Sequence, residues 1–102
     1  MTAAEDRQAL FTEASLGLGE RWAESWREDL RREGRPVEGG WPGTLPEARA
    51  RVSAYFGREL VQRGWSLLTA DELGSVAHTT YEQARRVWLA MSLSRRSSAH
   101  PR

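Results

Sequence analysis

The chain has 102 residues, 39% of them hydrophobic and 28% charged, and a formal net charge of +1. That length fits one domain, the apolar fraction is too high for a disordered chain, and the charge falls short of the basic stripe of a dedicated nucleic-acid binder. No cysteine is present, which excludes disulfides, zinc–cysteine sites and thiol catalysis.

All 15 basic residues are arginine, a composition typical of a GC-rich, bacterial-like genome; the functional alternative is a choice of arginine for bidentate or stacked contacts. Residues 1–33 are acidic, with five Arg against eight Asp or Glu, and the two following thirds are each mildly basic. The start, Met1 to Asp6, lacks the basic-then-apolar order of a signal peptide. No apolar run approaches the roughly 20 residues of a membrane span. The expected location is cytoplasmic.

The first predicted element is an amphipathic helix within residues 1–33. Leu10, Phe11, Ala14, Leu18, Trp22, Trp26 and Leu30 recur every three or four residues and fall on one face. Gly17 and Gly19 interrupt it, each at about 1 kcal/mol relative to Ala, so a kink or break is expected there. The alternative is a projecting helix that pairs with a second copy of the chain. Residues 34–43 form a Gly/Pro-rich loop, with Gly34 as the natural C-cap of the first helix.

Residues 44–93 are expected to form a compact three-helix unit. Thr44 opens its first helix, with Pro46 tolerated in the first turn. The apolar face is Leu45, Ala48, Val52, Tyr55, Phe56 and Leu60, with Val61 at its edge, and Gly64 closes the helix. A short helix from Ala70 to about Ala77 follows. A longer one runs from about Thr80 to Leu93, with Tyr81, Ala84, Val87, Trp88 and Met91 on one face. Residues 94–102 read as a polar tail. Four Thr-x-x-Glu capping boxes mark helix starts, at Thr2/Glu5, Thr44/Glu47, Thr69/Glu72 and Thr79/Glu82. The predicted fold is therefore all-α, a small bundle of four to five helices.

The segment from Thr69 to Met91 resembles a helix-turn-helix near the C-terminus. Gly74 would supply the small residue at the helix crossing. Thr80, Tyr81, Arg85 and Arg86 would face DNA, with arginines suited to guanine edges or phosphates. The match is degenerate: His78 stands where the turn usually has glycine, and Glu82 would repel phosphates. Exposure of Tyr81 separates this reading from a plain bundle helix.

Five tryptophans are many for this length. Trp22, Trp26 and Trp88 suit a core. Trp41, within a glycine loop, either plugs that loop onto the domain or presents an anchor to a partner. The loop lacks the lysine of a phosphate-binding loop. His78 beside Thr79 and Thr80 has no neighbouring carboxylate to build a triad. The carboxylates Glu13, Glu20, Glu24 and Glu28 lack the Glu-x-x-His pattern of a di-metal site and read as a solvated face. No catalytic residue, cofactor or metal is expected.

The favoured expectation is a non-catalytic helical interaction module, an adaptor or accessory subunit of a larger cytoplasmic assembly. Its protein partner would contact Trp41, Trp22 and Trp26, and a homodimer through the N-terminal helix is a further expectation. The alternative is a small helix-turn-helix DNA-binding regulator.

Overall fold

The computed structural model describes residues 3–36 and 39–98, with side chains placed through Met91. It is all-helical, with three helices: α1 (Ala3–Arg32), α2 (Leu45–Gln62) and α3 (Ala70–Ser98). The expected four to five helices reduce to three for two reasons. The N-terminal helix does not break, and the two helices expected after Thr69 are one.

The helix ends follow the sequence signals. Thr44 Oγ1 accepts from Glu47 N–H at 3.3 Å. At Thr69 the box is reciprocal: Glu72 N–H donates to Thr69 Oγ1 at 3.1 Å, and Thr69 N–H donates to Glu72 Oε1 at 3.0 Å. Gly34 and Gly64 take φ of 71° and 70°. Each terminates its helix in a Schellman pattern, with Arg35 N–H on Leu30 O and Trp65 N–H on Leu60 O. Thr2 lies outside the described residues. Thr79 caps nothing: its hydroxyl donates to Ser75 O one turn back, which lets a threonine sit inside a helix.

α1 and α3 run parallel in a constant register. Arg7 meets Glu72, Ser15 meets Thr80, and Arg27 meets Met91, separations of 65, 65 and 64 residues. α2 crosses back antiparallel to both. Its early residue Arg51 stacks over Trp22, and its later residue Phe56 meets Phe11 edge-on at 5.5 Å. The bundle is thus up-down-up, and α2 is the short member with 18 residues against 30 and 29. Its shape is a rod of 54 × 27 × 21 Å.

The core joins all three helices. Phe11, Ala14, Trp22, Ala23 and Leu30 of α1 are buried, with Ala48, Val52, Phe56 and Leu60 of α2 and Val76, Ala77, Ala84 and Trp88 of α3. Leu10, Leu18, Trp26, Tyr81, Val87 and Met91 pack on its edge. The seam between α1 and α3 is very close. A Cβ on Gly19 would lie 2.5 Å from Thr80 O and 2.9 Å from Ala84 N. Gly19 is therefore the crossing residue, and a kink there would open the seam. Gly74, expected in that role, faces open space: a Cβ there would meet nothing within 4 Å.

Candidate interaction surface

α3 passes through His78, Thr79 and Thr80 without a turn. No Gly or Pro lies between Ser75 and Ser98, and the modest helix propensity of the polar trio is overridden by burial of Val76, Ala77, Ala84 and Trp88 around it. Thr80 is fully buried, and its hydroxyl donates to Ser15 O at 3.2 Å. Tyr81 is half-buried against the core. Arg85 and Arg86 are exposed, and Arg85 approaches Glu82 at 3.8 Å. Of the four residues expected to face DNA, only Arg85 and Arg86 are thus exposed, and the turn that would present them is absent.

Three of the five tryptophans, Trp22, Trp41 and Trp88, gather at the level where α2 begins. Trp41 meets Trp22 edge-on at 4.9 Å and Trp88 at 5.5 Å. Trp88 Nε1–H donates to Gly39 O and ties the loop down. Trp22 is 1% exposed and Trp41 half-buried, so Trp41 plugs the loop onto the domain. Trp22, expected at a partner contact, is a core residue. The Nε1–H groups of Trp22 and Trp41 are buried with no acceptor among the described residues. An unmade bond of this kind costs about 1–3 kcal/mol, so ring packing holds the cluster. Trp26 remains half-buried beside a cleft of about 200 Å³ with Leu30, Arg35, Pro36, Gly40, Pro42 and Trp88.

At the opposite end, Arg7 was not singled out by its sequence context, yet it ties α1 to the α2–α3 connection. Its guanidinium donates to Ser66 O at 2.8 Å, to Leu67 O at 3.3 Å and to Glu72 Oε1 at 3.1 Å, and it lies over the Phe11 ring. That hydrogen bond, followed by the Thr69 N–H, holds the Glu72 carboxyl below its ordinary range.

The remaining surface feature is the outer side of α2. Ala48, Val52, Phe56 and Leu60 are fully buried on the inner side. Ala50, Ala54, Gly57 and Val61 follow a 4-3-4 spacing that places them together on the opposite face. Ala50 and Ala54 are exposed, and Val61 is 66% exposed. Val61 therefore leaves the core face where periodicity placed it. A cleft of about 160 Å³ lies beside this row, lined by Ser53, Gly57, Leu67, Leu68 and Leu73, with Leu67 59% exposed. A Cβ on Gly57 would meet nothing within 4 Å.

The charges around the row are one-sided. Residues 45–63 carry Arg49, Arg51, Arg58 and Arg63 against Glu47 and Glu59. Glu47 accepts from the Thr44 hydroxyl, and burial, followed by the nearby Glu59 carboxylate, raises the Tyr55 pKa. Arg51 and Arg63 stack over Trp22 and Trp65. Among the described residues the ion pairs are made by other arginines.

Among the described residues, no group of three or more His, Asp or Glu is placed to hold a metal ion, and no helix is long and apolar enough to cross a membrane. No protein-family model matches the chain, and no curated protein or solved structure is significantly similar to it.

Proposed function

We propose that the chain is a non-catalytic interaction module, an accessory subunit of a larger cytoplasmic assembly, which binds its protein partner through the outer side of α2. The observation that carries this reading is the double-sided helix. α2 fills the core with one apolar face and still presents a second, at Ala50, Ala54, Gly57 and Val61, next to a leucine-lined cleft. Single exposed apolar residues are ordinary, whereas an ordered row beside a cleft is the pattern of a helix-binding surface.

The proposed contact thereby moves from Trp41 and Trp22 to Val61 and Gly57. Trp41 and Trp22 keep a structural role, and Trp26 is a peripheral candidate. The test is co-purification from cells expressing the chain as wild type or Val61→Glu, with thermal unfolding measured on both. The variant should melt within about 0.5 kcal/mol of wild type, as an exposed substitution does, and should lose the co-purifying protein. Retention of the same protein by the variant at wild-type level would contradict the reading.

A further inference from the structure

We infer that the cleft between the end of α1, the α1–α2 loop and α3 binds a small aromatic carboxylate, with the ring among Trp26 and the loop prolines and the carboxylate on Arg35. The site takes no residue from α2 and does not depend on the interaction-module reading.

Three observations carry it. First, the cleft of about 200 Å³ is lined mainly by rings. Leu30 and Trp88, both buried, form its base, and Pro36, Pro42 and the half-buried Trp26 form its sides. Indole and pyrrolidine walls favour a planar apolar ring. The volume is below the roughly 300–1,000 Å³ of a drug-sized site, so the occupant is one ring system with a short arm. Second, Arg35 is the one charged residue of the lining. Its Nη1 pairs with Glu33 at 3.0 Å, which leaves Nε and Nη2 without a partner among the described residues. That open side-on edge matches the two oxygens of a carboxylate. Third, the walls are fixed before a ligand arrives. Arg35 N–H donates to Leu30 O at 2.8 Å and Trp88 Nε1–H donates to Gly39 O at 3.2 Å, so both arms of the loop are tied to helices. A preformed cleft loses little affinity to ordering.

Two other clefts of the described structure lack this combination. In the one beside Phe11, the hydroxyls of Thr12, Ser15 and Thr79 each give their proton to a carbonyl of their own helix, and the one charged residue, Glu72, is already held by Arg7. The groove beside Val87 and Met91 is walled by Glu24, Arg27, Glu28 and Arg31, whose charges cancel and select no ligand.

The test titrates the full chain with indoleacetate and with indoleacetamide, read by calorimetry. The carboxylate should bind saturably, one to one. The amide, which has the same ring without the charge, should bind about fivefold or more weakly. Arg35→Gln should bring the carboxylate down to the affinity of the amide and leave the amide unchanged. The Arg35 side chain is exposed, so this variant should stay folded. Trp26→Ala should weaken both ligands by a similar factor, and Val61→Glu should change neither. No saturable binding of indoleacetate, equal affinity for the two ligands, or a preference for the carboxylate that survives Arg35→Gln would each overturn the inference. Those failures are separable from failure of the interaction-module reading, which is decided by whether Val61→Glu loses the co-purifying protein.

Discussion

Gly19 and Gly57 are both interior glycines of long helices, and each weakens its helix by about 1 kcal/mol relative to Ala. In the α1–α3 seam the reason is inside the molecule: the backbone of α3 leaves no room for a Cβ on Gly19. On the outer side of α2 a Cβ on Gly57 would meet no atom within 4 Å beyond the backbone of its own helix. The seam is closed, hydrogen-bonded at Ser15–Thr80, and finished. The α2 face carries the same kind of sequence feature with no internal counterpart. Gly74 in α3 has the same open surroundings, so open space at a helical glycine marks only the lack of an internal counterpart; the proposed contact at Gly57 draws on the cleft beside it.

Substitutions can break this comparison from either side. The largest effect is expected at Gly19→Val. Its branched side chain would meet Thr80 O, Gln83 and Ala84 N, and overpacking against backbone should destabilise by about 3 kcal/mol or more, read as loss or a steep fall of the cooperative unfolding transition. A folded variant with wild-type stability would show that the seam yields.

Trp41→Ala comes next. It removes a ring packed against both Trp22 and Trp88, and about 2–4 kcal/mol should be lost in denaturant unfolding. A neutral result would return Trp41 to the role of an exposed anchor and place the contact surface at the loop.

Arg7→Ala should cost about 1–2 kcal/mol at neutral pH, since it frees the Ser66 and Leu67 carbonyls and the Glu72 carboxylate together. This effect depends on pH with a defined sign. The Glu72 pKa is lowered in the folded state, so its contribution is fully present above the ordinary glutamate range and is lost as pH falls through the lowered value. The gap between wild type and Arg7→Ala should therefore narrow below about pH 4 without closing, because the two carbonyl bonds do not titrate. A gap that is constant from neutral to acid pH would assign the whole effect to those carbonyls.

Much of the fold was legible because its signals are local. The capping boxes at Thr44 and Thr69, the C-caps at Gly34 and Gly64, and the stripe from Phe11 to Leu30 depend on neighbours within a few residues. What was misread depends on a distant partner. Thr79 and Glu82 have capping-box spacing, but α3 stays helical because Val76, Ala77, Ala84 and Trp88 are buried in the shared core, and the Thr80 hydroxyl bonds Ser15, 65 residues away. Gly19 looked like a break because periodicity does not record that another backbone passes beside it. Val61 looked like an edge of the core because Tyr55, Phe56, Leu60 and Val61 are all apolar, and only packing separates their faces. Of the expected contact residues, Trp22 and Trp41 are drawn inward by each other and by Trp88, an aromatic cluster that spacing along the chain does not reveal. The outer row of α2 was present in the spacing of Ala50, Ala54, Gly57 and Val61. It was hidden because small residues give little hydrophobic signal.

The most direct measurement is thermal unfolding of Gly57→Ala beside wild type. With open space around the new methyl group and a better helix former in place, stability should rise by about 0.5–1 kcal/mol, or roughly 2–8 °C in Tm for a chain of this size. A fall in Tm would mean that Gly57 answers a constraint inside the fold, and the case for a partner on the outer face of α2 would lose its basis.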